Sequence, residues 1–337
     1  MQYTNLGRTG CKVSRLCLGT MNFGPRTSEA DSHAIMTEAL ELGMNFWDTA
    51  DVYGGKPHAG ITEEIIGRWF EVNRAKREQV VIATKYQGGM GNGVNDRGAS
   101  AYHIKAACEA SLKRMKIDCI DLYQMHHVNR DTPWEEVYEA LDVLRKQGKI
   151  IYAGTSNHAG WHIAQAVETA RRLGVLGIVC EQSKYSLNCR HIELEVIPAC
   201  RHYGVGVIAW SPLDGGMLGG TLEGVDEKAR RAGEGNVKKI AAKKEQLERW
   251  HKLCGEMGEK PADVALAFTL ATPGMTAPII GPRTIEQLNG SLRALEIKIT
   301  PEIMDNLDDV WPSTRHSDVG HTSKSAFKYE SPEAFAW

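Results

Sequence analysis

Eight short apolar runs recur along this chain with amphipathic stretches between them, and their spacing constrains the fold more than any other feature. The runs are Arg15–Leu18, Asn45–Trp47, Val80–Thr84, Cys119–Met125, Ile150–Ala153, Gly177–Glu181, Val205–Ala209 and Met275–Ile280. Helical patterns alternate with them over Ser28–Leu42, Tyr102–Met115, Pro133–Gln147, Trp161–Leu173 and Arg283–Leu295. Thr132-Pro133 followed by Glu135 and Glu136 reads as a helix start, with a cap, a proline in the first turn and acids facing the dipole. With the run ends taken as Thr20, Asp48, Lys85, His126, Ser156, Gln182 and Trp210, the steps are 28, 37, 41, 30, 26 and 28 residues. Those are lengths of strand–helix units. Strands alternating with helices imply a parallel sheet, and eight strands close into a barrel, so the expected fold class is α/β, a (β/α)8 TIM barrel.

Two departures from the repeat carry their own expectations. From Trp210 to Gly281 the step is 71 residues, which places a long insertion, rich in Gly, Lys and Arg, within Gly215–Lys244. It reads as a mobile active-site loop and not as a second domain. The opening MQYTNLGRTGCKV, with turn residues between Gly7 and Gly10, reads as a hairpin capping one end of the barrel. The whole span 1–337 is expected to form a single domain, since barrels of this length commonly do.

Composition sets limits on partners. A formal net charge of −2 over 337 residues advertises neither nucleic acid nor an anionic membrane surface. The first ten residues lack an apolar stretch of the kind a secretory signal needs, and no apolar run is long enough to span a bilayer. The eight cysteines show no CxxC spacing, and Cys119 and Cys180 sit in apolar strand-like runs. Reduced, buried thiols in a cytoplasmic protein are expected, with no disulfide and no metal site.

Chemistry concentrates at the strand ends. NFWDTADVYG places Asp48 and Tyr53 where an apolar run breaks into a Gly-rich turn; VVIATK delivers Lys85, and CIDLYQMH delivers His126. In a barrel these positions face one mouth, so residues far apart in sequence become neighbours. A carboxylate, a phenol, an ammonium and an imidazole form a proton-transfer set, although Tyr53 as a packed tyrosine and Asp48 with Lys85 as a structural ion pair are the plain alternatives. His127 follows His126 directly and is expected to face away from the mouth. His158 and His162 have the i,i+4 spacing of a metal pair, but no third ligand accompanies them, and an exposed helix start is the expectation.

Several segments together resemble the aldo-keto reductase family: LGRTGCKVSRLCLGTMNFG, NFWDTADVYG, VVIATK, DLYQMH, AGTSN, the stretch Glu181-Gln182 to Tyr185, WSPLDGG and PIIGPRT, in register over roughly residues 1–300. The likeness is to the bacterial branch related to potassium-channel β-subunits and deoxysugar reductases. It implies a barrel that binds a nicotinamide cofactor and reversibly reduces an aldehyde or ketone. It also implies Tyr53 as proton donor, Lys85 as the cation that eases proton release, Asp48 as the group holding Lys85, and His126 as the residue orienting the substrate oxygen. No GxGxxG follows the first strand, in keeping with a nicotinamide protein that is not a Rossmann fold.

For the cofactor, the resemblance assigns Ser156, Asn157 and Gln182 to the carboxamide, Trp210 to the nicotinamide face, and Ser211, Pro212, Leu213 and Gly216 to the pyrophosphate path. Thr20, Met21, Asp48, Gly281 and Gln287 complete the set. Arg283 and Thr284 open what reads as the last helix, where a guanidinium suits a 2′-phosphate, so NADP(H) is favoured over NAD(H). The chain departs from the family at Thr221, where a lysine is frequent, and at Gly290 and Ser291, where an acid and an asparagine are frequent; Arg230 and Arg231 in the insertion are candidate replacements. Phe23 and Tyr86 are substrate-pocket candidates beside His126, and Trp311 is a further aromatic candidate. The expected partner is a small carbonyl compound, with oligomeric state open. Rival readings are a sugar-nucleotide carbonyl or enoyl reductase, and a cofactor-binding regulatory subunit, which the absence of an extension before the first strand disfavours. A metal-dependent barrel hydrolase would need histidines where this chain has Gly19-Thr20-Met21.

Overall fold

A computed structural model of the chain describes residues 1–220 and 234–313. Thr221, Arg230, Arg231 and the rest of 221–233 lie outside the described residues. A two-stranded antiparallel hairpin, β1 (Tyr3–Asn5) and β2 (Lys12–Ser14), precedes the sheet. Eight parallel strands then close into a barrel: β3 (Cys17–Gly19), β4 (Phe46–Asp48), β5 (Val81–Tyr86), β6 (Ile120–Met125), β7 (Ile150–Ser156), β8 (Ile178–Lys184), β9 (Gly206–Trp210) and β10 (Met275–Ile280), with β10 pairing back to β3. The expected (β/α)8 barrel is what the chain forms.

The helices α1 (Glu29–Glu41), α2 (Ile61–Val72), α3 (Ala101–Met115), α4 (Trp134–Lys146), α5 (Gly160–Leu173) and α6 (Val196–Tyr203) connect successive strands from β3 to β9. After β9 come α7 (Glu234–Ala242), α8 (Lys244–Glu256) and α9 (Pro261–Ala271), and after β10 come α10 (Ile285–Gly290) and α11 (Pro301–Val310). The insertion is therefore helical from residue 234 onward, where a loop to Lys244 was expected. Arg283–Leu295 is not one helix but α10 followed by a 3₁₀ turn, Ser291–Leu295, because the Ser291 hydroxyl donates to Leu288 O and tightens the chain there. Nor is α10 the last helix. At α4 the N-cap is Pro133 and not Thr132, since the Thr132 and Asp131 amides both donate to Asn129 Oδ1 in an Asx turn outside the helix.

Strand alternation stacks the barrel interior into layers. Phe46, Ala83, Leu122 and Cys180 point inward in one apolar layer together with Leu6 and Val13 of the hairpin, which plugs that end of the barrel. Two residues further along the same strands stand Asp48, Lys85, Gln124 and Gln182, so the strand period of 2 lifts the interior from an apolar to a polar layer. Gly7, at φ +54°, lets the hairpin lie against the strands; a Cβ there would fall 2.2 Å from Val179 O. Outside the barrel, Trp47 meets Trp69 at 5.0 Å between ring centroids in the layer that the helices cover.

The sequence pattern stops short of β5, β7 and β8, which run on through Tyr86, Ser156 and Lys184. Their last residues include polar ones, and the strands stay extended because Lys85, Ser156 and Gln182 find hydrogen-bond partners there.

Candidate active site

Lys85 is fully buried, and its Nζ lies 2.8 and 2.7 Å from the two Asp48 carboxylate oxygens, 2.8 Å from Thr49 O and 3.1 Å from the Tyr53 hydroxyl. Asp48 ends β4 and Lys85 lies in the adjacent β5, so the barrel register brings the pair together. Asp48 Oδ1 also accepts from Gln182 Nε2 at 2.8 Å and Gln124 Nε2 at 3.3 Å. Tyr53 reaches the cluster from a tight turn: its amide donates to Ala50 O, and its carbonyl accepts from Gly60. Gly54 makes that loop possible, because at φ +109° a Cβ would stand 2.2 Å from His58 O.

The protonation states follow from burial against partners. Burial works against a charge on Lys85, but the Asp48 carboxylate and the Tyr53 hydroxyl outweigh it and raise the ammonium pKa above its ordinary value. Loss of solvent raises the Tyr53 pKa, and Lys85 only partly offsets this. Lys85 thus acts toward proton release, while burial, the larger effect, keeps the proton on the hydroxyl in the free site. His126, just past β6, is driven down to about 3 by burial and then by Lys85, so its imidazole is neutral.

The His126 and Tyr53 rings meet edge-on, 6.2 Å apart at their centroids. His127, for which a surface or loop role was expected, is exposed just past β6, and its ring stacks on His126 at 4.7 Å, with Nδ1 3.4 Å from Asn157 Nδ2. Strand alternation ends at Met125, and beyond it successive side chains are free to share a side.

A polar ledge faces this cluster from β7, β8 and β9. Ser156 Oγ donates to Gln182 O, and Asn157 Nδ2 donates to Ser156 Oγ and to His126 O. Trp210 Nε1 donates to Asn157 Oδ1 at 3.0 Å. Asn157 holds this position at φ +60°, in the left-handed region that asparagine tolerates better than most residues. Beyond Trp210 the chain turns through Ser211 (φ +57°), Pro212 and Leu213 to Gly216 (φ +95°). The Gly216 amide, assigned to the pyrophosphate path, donates to Leu213 O.

On the other side of the mouth, Thr20 Oγ1 donates to Asp48 O, Met21 is exposed, and Gly281 O accepts from Asn22 Nδ2. Gln287 lies on α10, its Oε1 accepting the Arg283 amide. Arg283 itself is half-buried just before that helix, whose N-cap is Thr284.

Three expected pocket aromatics are elsewhere. Phe23 is sealed in the core, its carbonyl taking the Thr62 hydroxyl; Tyr86 packs on Tyr123 at 4.7 Å; and Trp311 packs on Trp250 at 6.4 Å. Each packs against neighbours the sequence does not reveal. His158 and His162 are buried as well, not at an exposed helix start: His158 bonds Ser156 O, and His162 Nδ1 accepts the Ala159 amide. Sequence reading passed over Gln124, although it stands two residues after inward-facing Leu122 on β6 and so on the same inward side.

The barrel thus gathers buried Asp48 and Lys85 with half-buried Tyr53 at the C-terminal ends of its strands. The aldo/keto reductase family profile matches residues 15–312. An uncharacterized oxidoreductase of Bacillus subtilis, YrpG, is 48% identical over 341 residues, covering 100% of both chains. A probable voltage-gated potassium channel subunit beta of rice (Oryza sativa subsp. japonica) is 33% identical over 92% of this chain and 96% of its own, and its Arabidopsis thaliana counterpart 32% over the same shares. The chain belongs to the aldo/keto reductase family. None of its described helices is long and apolar enough to cross a membrane.

Proposed function

We propose that the protein is an NADPH-dependent reductase of aldehydes or ketones. The observation that carries this reading is the Tyr53 hydroxyl held 3.1 Å from an ammonium that both oxygens of Asp48 keep charged. The residues at the mouth suit a nicotinamide dinucleotide: neutral amides on Asn157 and Gln182, the Ser156 hydroxyl, a half-exposed indole face on Trp210, and a guanidinium on Arg283. When bound, the cofactor supplies a hydride to the carbonyl carbon. The chain does the rest. Tyr53 gives its proton to the developing alkoxide, and Lys85 stabilises the phenolate left behind. Neutral His126 shares a hydrogen bond with the substrate oxygen and orients it. Asp48 keeps Lys85 ionised between turnovers.

Tyr53→Phe tests this directly, since it removes the donor and keeps the ring. Turnover of NADPH with a panel of aldehydes, ketones, quinones and sugar carbonyls is expected to fall about 10²–10⁴-fold, with cofactor affinity nearly intact. Wild-type kcat in the variant would overturn the mechanism. The channel-subunit relatives favour one second reading, a cofactor-binding regulatory subunit; tight NADPH binding by a wild type that turns over nothing in the panel would select it.

A further inference from the structure

We propose that Glu181 is a positioning residue: from behind the barrel wall it fixes the turn that presents Asn157 to the nicotinamide. Inward-facing Cys180 and Gln182 flank it on β8, so its own side chain points outward between strand and helices, where it is fully buried. One carboxylate oxygen accepts the Thr155 hydroxyl at 2.6 Å. The other accepts the His158 backbone N–H at 3.1 Å and the Ser183 hydroxyl at 2.8 Å. The nearest basic group is His158, 4.0 Å away, which burial holds neutral at about 4. Amide and hydroxyl donors thus replace a counter-ion.

The bonds bracket Asn157. Thr155 lies two residues before it and His158 one after, and both are tied to the same carboxylate. Between them the chain takes its left-handed step at Asn157, whose N–H donates to Gln182 O. A non-glycine residue stays in that region only where its surroundings over-determine it. The consequence reaches the mouth, because the Asn157 side chain bridges His126 O and the Trp210 indole N–H. Without the carboxylate, a buried N–H and two hydroxyls lose their acceptor, and the turn is free to relax toward right-handed backbone and withdraw the amide.

The inference rests on the cofactor reading above only for what Asn157 holds, and the test separates the two. Glu181→Leu is expected to raise the NADPH dissociation constant at least tenfold and to shift the Trp210 indole N–H resonance in the cofactor-free protein. Glu181→Gln, which keeps an acceptor for the His158 amide while the Thr155 hydroxyl turns to accept, restores both. Should the leucine variant not fold, Thr155→Val removes one bracket with little change of shape, and a weaker shift in the same two readouts is expected. An unmoved indole resonance with unchanged affinity in a folded variant overturns the proposal. A moved resonance in a protein whose wild type binds no NADPH leaves the positioning role standing and removes the cofactor reading alone.

Discussion

Gln182 and Lys85 share one partner: the Gln182 amide and the Lys85 ammonium both lie 2.8 Å from Asp48 Oδ1. The carboxylate that holds the proposed proton-relay cation is therefore also tied to the ledge assigned to the carboxamide. Removing Gln182 should accordingly act on both halves of the site. Gln182→Ala is expected to weaken NADPH binding up to about tenfold, as loss of one neutral hydrogen bond to the carboxamide, about 0.5–1.5 kcal/mol, implies, and to lower kcat through the lost contact to Asp48. Ser156→Ala, whose hydroxyl meets only Gln182 O and Asn157, should raise the dissociation constant and leave kcat close to wild type. Fluorescence titration beside steady-state kinetics separates the two patterns.

Lys85→Met should cost stability as well as activity. It leaves Asp48 buried without its cation, a situation that destabilises by about 3–5 kcal/mol, although the Gln182 and Gln124 amides moderate it. A lowered midpoint in urea unfolding together with loss of turnover is the expected pair of results. Loss of turnover alone would mean that Asp48 is satisfied without Lys85.

Arg283→Ala should erase most of the preference for NADPH over NADH while leaving NADH affinity nearly unchanged. A tenfold change in the ratio corresponds to about 1.4 kcal/mol. Equal affinities in the wild type would remove the 2′-phosphate assignment.

Asp51 makes stability depend on pH. It is wholly buried beside Glu63, with one carboxylate oxygen lacking any hydrogen-bond partner, and burial followed by Glu63 raises its pKa to about 7. The folded state thus holds a proton that the unfolded state has released. Its contribution is complete below the unfolded pKa near 3.8 and is lost as pH rises through about 7. Relative to wild type, Asp51→Asn should gain up to roughly 1.4 kcal/mol per pH unit across that window. Urea midpoints of both proteins measured at pH 5, 6 and 7 give the slope, and parallel curves would show that Asp51 does not titrate there.

His126 should remain neutral where an ordinary histidine protonates. Its pKa of about 3 predicts that nitrogen-15 NMR shows a neutral imidazole at pH 5, and that the kcat profile has no acid limb from this residue above pH 5. A titration midpoint near 6.5 would contradict the burial that the structure gives it.

The sequence by itself determined the barrel and four positions at its mouth. Eight apolar runs at strand–helix spacing leave a parallel sheet little choice but to close, and Asp48, Tyr53, Lys85 and His126 stand at strand ends whose direction the chain order dictates. Tertiary structure decided what these residues touch. Phe23 and Tyr86 look like pocket aromatics in one dimension and are core residues in three, because what covers a loop after β3 or the end of β5 is decided by elements distant in sequence. Glu181 closes an apolar run in the sequence, but which groups satisfy its carboxylate is decided by the neighbouring strand, which brings the Thr155 hydroxyl and the His158 amide to it beside Ser183 of its own strand. Proton affinity belongs to the same class: the shift at Tyr53 reflects how much water the closed barrel leaves around one hydroxyl, a property of packing and not of order along the chain.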